Sequence, residues 1–146
     1  MPNAICESLP PGLLIIEDND EDFLILKRIV EQASISCQID RCMTGDEAIE
    51  LLLQAKGNGT LPSLILLDLS LPGTDGKEIL DRIKQTDSLS MIPIVALSGD
   101  LNQKEVNLLY QMGISGCIVK QVDGIKFKRK MQILIEYWFV ANRLPT

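Results

Sequence analysis

The chain contains no histidine. That absence removes His-based zinc sites and every mechanism in which an imidazole moves the proton. No two of its four cysteines (Cys6, Cys37, Cys42 and Cys117) stand in a CxxC pair, so neither a thiolate metal knuckle nor a redox dithiol is indicated. Reduced thiols buried as small hydrophobes are the default, and Cys37 and Cys42, five apart, would point to opposite faces of a strand. Basic charge is in deficit: 14 Lys and Arg stand against 20 Asp and Glu, a formal net charge of −6. Binding to a phosphate backbone needs basic patches, so nucleic acid is excluded as a direct partner. No apolar run reaches the length of a membrane span or of a signal-peptide core, so membrane insertion is not expected and a cytoplasmic location is.

The 146 residues are enough for one domain with a full core, and 46% hydrophobic against 23% charged is ordinary for a soluble globular chain. Residues 1–11 are proline-rich and read as a flexible arm. From residue 12 onward strand and helix patterns alternate about five times. Strands are expected at 12–16 (GLLII), 37–42 (CQIDRC), 64–68 (LILLD), 92–100 (IPIVALSGD) and 116–120 (GCIVK). Helices are expected over 20–33, from the capping box of Thr44 and Glu47 to Lys56, over 76–86, from Asn102 and Glu105 onward, and from Asp123 to about Arg143. Alternating units of this kind imply a parallel sheet covered by helices on both faces.

In such sheets the ligand site lies beyond the carboxyl ends of the strands. The residues there are Glu17 and Asp18 after the first strand, Asp68 after the third, Ser98 after the fourth and Lys120 at the end of the fifth. Burying a carboxylate at the tip of an apolar strand is costly unless charge or hydrogen bonds offset it, so Asp68 asks for an explanation. Three clustered carboxylates favour a hard divalent cation, and Mg²⁺ suits one or two carboxylates plus water. A carboxylate so placed can act as a nucleophile toward phosphorus, with Lys120 and the Ser98 hydroxyl covering phosphoryl oxygens, each charge-assisted bond contributing roughly 1.5–3 kcal/mol.

These motifs resemble the receiver domains of two-component response regulators over about residues 12–140. "LIIED" is similar to the family's acidic pair, which implies Asp18 as a direct metal ligand and Glu17 acting through water. "LLDLSLPGTDG" resembles the phosphoacceptor loop, with Asp68 as acceptor, Pro72 and Gly76 at the usual offsets, and the backbone carbonyl of Ser70 as a further metal ligand. "VALSG" supplies the switch hydroxyl Ser98 and "CIVK" supplies Lys120. The resemblance implies a flavodoxin-like, doubly wound α/β fold, five parallel strands in the order 2-1-3-4-5 with five helices. It also implies a receiver spanning 12–146 without an output domain, and no enzymatic turnover. Phosphate would arrive from a sensor histidine kinase. The segments "LPSLILLDLSLPGTDGKEIL" and "IEYWFVANRLP" look most like single-domain regulators paired with cyanobacterial phytochromes, so a phytochrome-type kinase is the expected partner.

Two positions depart from the family pattern. Cys117 stands where an aromatic switch residue is common, and Gln121 follows the lysine where proline, often cis, is usual; without proline a cis bond costs about 2.5–4 kcal/mol, so a trans bond or a strained loop is expected. Both favour a rival in which the receiver fold signals without phosphate, against which stands the complete set Glu17, Asp18, Asp68, Ser98 and Lys120. A haloacid-dehalogenase-like phosphatase would need a second aspartate where Ser70 stands. A calcium loop built on Asp18, Asp20 and Asp22 would need Gly and Glu where Phe23 and Ile29 stand. Asp20 and Asp22 instead read as residues favouring a helix N-terminus. The last helix carries one apolar stripe for the core (Phe127, Met131, Leu134, Ile135 and Trp138) and a second of Ile133, Tyr137, Val140 and Leu144. The second stripe predicts a homodimer through this helix.

Overall fold

The structure, a computed structural model, describes residues 11–33, 35–71, 75–120 and 123–142. Along them strand and helix alternate as β1 (Gly12–Ile16), α1 (Asp20–Gln32), β2 (Gln38–Cys42), α2 (Gly45–Asn58), β3 (Leu64–Asp68), α3 (Gly76–Gln85), β4 (Ile94–Ser98), α4 (Gln103–Gln111), β5 (Gly116–Val119) and α5 (Gly124–Glu136). All strand pairings are parallel, in the order β2-β1-β3-β4-β5. This is the flavodoxin-like doubly wound arrangement expected from the sequence.

The strand pattern explains the layers. Successive side chains on a strand point to opposite faces, and the two cores follow that alternation. Leu14, Ile16, Ile65, Leu67, Ile94 and Ala96 face one way, onto α2, α3 and α4. Leu13, Ile15, Leu64, Leu66, Val95 and Leu97 face the other, onto α1 and α5. Every residue of β3 and β4 is buried, which is why these strands read as continuous apolar runs. Truncating one such Leu to Ala would cost about 2–5 kcal/mol. Cys42 lies in the first core and Cys37 packs against the second, so the two thiols do take opposite faces.

Caps set the helix boundaries. The Thr44 hydroxyl accepts the Glu47 N–H at 3.1 Å, while the Glu47 carboxylate accepts the N–H of Met43 at 2.9 Å, so the box closes one residue earlier than the usual form. Helix α2 continues two residues beyond the expected Lys56 because its stop is Gly59, whose φ of 70° supplies the left-handed cap. Strand β4 begins only at Ile94, after Pro93, and β5 ends at Val119. The expected arm, residues 1–11, lies outside the described residues except Pro11, whose carbonyl accepts the Gln38 N–H at 2.9 Å and is thereby tied to the sheet.

The last helix departs from expectation. The α-helix ends at Glu136 and passes into a π turn over Tyr137–Ala141, closed by the Asn142 N–H donating to the Tyr137 carbonyl at 2.7 Å. Within this wider turn the neighbours Trp138 and Phe139 both pack against the second core. The expected core stripe is otherwise present: Phe127, Met131 and Ile135 are buried, with Leu134 packed alongside. Ile133, Tyr137 and Val140 are exposed, as the second stripe requires, whereas Arg143 and Leu144 lie outside the described residues. No helix among the described residues is long and apolar enough to cross a membrane.

Candidate functional site

Parallel strands deliver their carboxyl ends to one edge, and the site is assembled there. Glu17 and Asp18 follow β1, and Asp68 is the last residue of β3. Ligand oxygens from all three carboxylates lie within 4.8 Å of one another. Glu17 is 1% exposed and Asp68 4%, while Asp18 is partly open to solvent. Lys120, directly after β5, reaches into this group. Its ammonium lies 2.6 Å from Glu17 Oε1, 3.1 Å from Asp22 Oδ2 and 3.4 Å from Asp68 Oδ2.

Electrostatics show that one lysine does not neutralise the group. Burial, together with the hydrogen bond and charge of Asp68, pushes the Glu17 carboxyl up from 4.5 to about 7, outweighing Lys120 beside it. For Lys120, burial pulls downward, but hydrogen bonds to Glu17 and Asp22 and the charges of Asp68 and Glu17 win and raise it to about 12. The edge therefore retains an excess of negative charge that a proton on Glu17 relieves. A hard cation with oxygen ligands relieves it better, and three converging carboxylates are the donor set such a cation takes.

Local hydrogen bonds fix the loops. Asp68 Oδ1 accepts the Ser70 N–H at 2.9 Å, which turns the chain sharply after β3. Helix α3 then starts with Gly76 against this loop. A Cβ at 76 would meet Leu69 Cα at 2.8 Å, so only glycine permits this approach. Ser98, 7% exposed, stands one residue beyond Leu97, the β4 partner of Asp68. Its hydroxyl is engaged in its own loop, donating to the Asp100 carbonyl at 3.0 Å, and its carbonyl accepts the Lys120 N–H at 2.7 Å. The structure thus brings Glu17, Asp18, Asp68 and Lys120 together and sets Ser98 beside them with its hydroxyl turned away. Pro72 and Gln121 lie outside the described residues; Cys117 is half-buried beside the first core.

Two participants were not legible as such in the sequence. Asp22 stands in the first turn of α1, as read there, and in addition accepts from Lys120, while Asn19 caps α1 by accepting the Asp22 N–H at 2.9 Å. Arg41 at the end of β2 donates through Nε to the Glu17 carbonyl at 3.0 Å, pairs with Asp20 at 2.8 Å and lies 4.6 Å over the Phe23 ring. It ties the β1–α1 loop, which carries Glu17 and Asp18, to the neighbouring strand. A lone Arg in a weak strand gives no local signal of that role; only the β1–β2 register, Ile15 opposite Arg41, brings it there.

A parallel sheet of order 2-1-3-4-5 with three acids and a lysine at its carboxyl edge has the outline of a receiver domain, and comparison with known proteins agrees. The profile of the response regulator receiver domain matches residues 13–132, and the chain belongs to that family. Among relatives, it is 31% identical over 134 residues to the probable methanogenesis regulatory protein FilR2 of Methanothrix harundinacea, covering 91% of this chain and 86% of that one. It is 30% identical over 142 residues to response regulator Rcp1 of Synechocystis, covering 95% and 97%. Among solved structures, the phosphorylated cyanobacterial phytochrome response regulator RcpA superposes with a TM-score of 0.87 at 28% identity, covering 94% of this chain and all (100%) of that one. The Mn²⁺-bound form of Rcp1 gives 0.84 at 28%, with the same coverage. Members of the family act as signalling modules in two-component systems, and their acidic pocket takes Mg²⁺ or Mn²⁺.

Proposed function

We propose that this receiver accepts a phosphoryl group on Asp68 from a sensor histidine kinase, in a reaction that depends on Mg²⁺. The observation that carries the reading is the joining of Asp68 to Glu17, Asp18 and Lys120 at one buried edge. Asp18, Asp68 and the carbonyl of Ser70 would hold the ion, with Glu17 acting through water. The bound ion would supply charge neutralisation for a phosphoryl oxygen.

The remaining chemistry belongs to the chain's own groups. An Asp68 carboxylate oxygen forms the new bond to phosphorus while the bond from phosphorus to the donor breaks and its electrons leave with the donor. Lys120, held charged, pairs with a second phosphoryl oxygen and gives up part of its present contact with Glu17 and Asp22 to do so. The Ser98 hydroxyl rotates off the Asp100 carbonyl to donate to a third. That rotation is the event by which occupancy of Asp68 reaches the β4–α4 loop.

Two of the similar solved structures, RcpA and AtBRR, are by name response regulators of phytochromes, and this supports a phytochrome-type kinase as the donor. Three free cysteines among the described residues suit a reducing, cytoplasmic setting. A second copy docking on the C-terminal helix is the further partner we infer, supported by Ile133, Tyr137 and Val140 at 59%, 48% and 69% exposure.

The deciding experiment is labelling with acetyl phosphate in Mg²⁺, with the label located by peptide mapping. Label on Asp68, lost on EDTA addition and in Asp68→Asn, is expected. A native chain that takes no label, or an Asp68→Asn chain that keeps it, would instead favour a receiver that signals without phosphate.

A further inference from the structure

We propose that Asp22 is a positioning residue that competes with the phosphoryl group for the Lys120 ammonium, so that its charge slows transfer to Asp68. The proposal rests on the reading that Asp68 is the phosphoryl acceptor and adds a control on the rate at that site.

Helix α1 starts at Asp20 under the Asn19 cap, which puts Asp22 in the first turn, where side chains tilt back toward the helix N-terminus. That direction is toward the carboxyl ends of the strands. Lys120 arrives from the far side, with β3 and β4 lying between β1 and β5. An ammonium has three N–H donors. Three carboxylates face this one: Glu17 at 2.6 Å, Asp22 at 3.1 Å and Asp68 at 3.4 Å. The first two contacts are hydrogen bonds and the third is a looser ion pair. At rest the ammonium is thus held more closely by Asp22 than by the acceptor it serves. Asp22 also differs in burial: its side chain is 43% exposed, whereas those of Glu17 and Asp68 are buried. It lies outside the trio of acids whose oxygens converge closely enough to share a metal ion.

These differences decide what each acid does when phosphate arrives. Asp68 becomes the acyl phosphate and no longer offers a free carboxylate. Glu17 belongs to the converging trio and has the metal side on which to place its charge. Asp22 has neither outlet, so its charge stays on Lys120 while negative charge builds on the phosphoryl oxygens. An ammonium already offset by a carboxylate 3.1 Å away stabilises that charge less than an unopposed one. Lys120 does not need Asp22 to stay in the site, since Glu17 holds it at 2.6 Å. Removing the Asp22 charge therefore frees the cation without losing its position. Water reaches Asp22 and screens the pair, which keeps the effect modest.

The rate at which acetyl phosphate labels the full chain in Mg²⁺ tests it. Asp22→Asn keeps the shape and removes the charge, and should label about two- to fivefold faster than native. Asp22→Glu, which restores the charge, should return toward the native rate. In a Lys120→Ala background Asp22→Asn should have no effect, because the cation for which it competes is gone. Glu21→Gln controls for an anionic donor meeting a less acidic surface. Glu21 stands in the same turn, is exposed and belongs to no ion pair among the described residues, so its loss should leave the rate unchanged. Without metal or phosphate, the NMR signal of the Lys120 ammonium should shift in Asp22→Asn and stay in place in Glu21→Gln. A native chain that takes no label overturns the acceptor reading itself. A native chain that labels while Asp22→Asn labels no faster leaves the acceptor in place and overturns the competition. So does an acceleration that Glu21→Gln shares or that survives Lys120→Ala, or an ammonium signal that Asp22→Asn does not move.

Discussion

The two ends of the sheet are built from the same five strands and are chemically unlike. At the amino edge, where β1 and β2 begin and α2 gives way to the loop before β3, there is a cavity of about 420 Å³. It is lined by Gly12, Gln38, Gln54, Asn58, Thr60 and their neighbours, and only Asp40 among its lining residues is ionisable. At the carboxyl edge the carboxylates of Glu17, Asp22 and Asp68 stand within 3.4 Å of the Lys120 ammonium, and Glu17 and Asp68 are nearly sealed from water. Strand polarity accounts for the difference. Parallel strands send every carboxyl end and every following helix N-terminus to one side, and the first turns of α1 to α4 are acidic. The other side receives helix C-termini and turn residues such as Gly59 and Pro62. A cavity offers room; convergent charge offers chemistry.

The hardest test of that contrast removes the cation. Lys120→Ala leaves Glu17 and Asp68 facing each other without their shared partner, and leaves one phosphoryl oxygen without its ion pair. Losing a charge-assisted bond of about 1.5–3 kcal/mol should slow labelling of Asp68 by about ten- to a hundredfold. A rate within twofold of native would show that Lys120 holds the fold and has no part in the transfer.

A smaller effect should appear in the pH dependence of metal binding. Unfolded, Glu17 titrates near 4.5; folded, burial and Asp68 hold it at about 7. Between those values the native chain keeps a proton that the unfolded chain has lost. This contribution to stability is therefore complete below 4.5 and is lost as pH rises through 7. Mg²⁺ needs the ionised carboxylate, so binding should release a proton and its stabilisation should grow from pH 6 to pH 8. Thermal melts with and without millimolar Mg²⁺ should diverge as pH rises, and Asp18→Ala should abolish the divergence at every pH. Superimposed native melts at pH 8 would mean the acids hold no metal.

How far the sequence disclosed this site follows from what each signal depends on. Strands β1 and β3 were legible to the residue because both faces of each are buried and turn residues bound them. Glu17, Asp18, Asp68 and Lys120 followed, since strand ends in a parallel sheet share an edge. Strand β2, with alternating exposed and half-buried positions, was weakly marked and hence drawn one residue long at its start. What could not be read was what depends on partners distant in sequence. Lys120 meets Asp22 across 98 residues, Arg41 meets the Glu17 carbonyl across 24, and the π turn at Tyr137 serves the packing of two adjacent aromatics that the helical period alone would separate. Ser98 could be placed by its strand, but its hydroxyl's bond to the Asp100 carbonyl could not, because loop geometry sets it.

Adjacent residues of β2 supply the finest comparison. Asp40 lines the cavity at the amino edge, while Arg41, next in the chain, reaches the carboxyl edge and ties down the loop bearing Glu17 and Asp18. Arg41→Met keeps the length and the contact with Phe23 but removes the donor to the Glu17 carbonyl and the partner of Asp20. A net hydrogen bond of about 0.5–1.5 kcal/mol gives about a two- to tenfold loss of Mg²⁺ affinity by calorimetric titration. Arg41→Lys should recover only part of it, because an ammonium cannot stack on the ring and offer the guanidinium's fixed fork together. Asp40→Asn should leave the affinity unchanged within error, since nothing links its cavity to the acids. If Asp40→Asn lowered Mg²⁺ affinity as much as Arg41→Met, the two edges would be coupled through β2 and their chemical separation would fail.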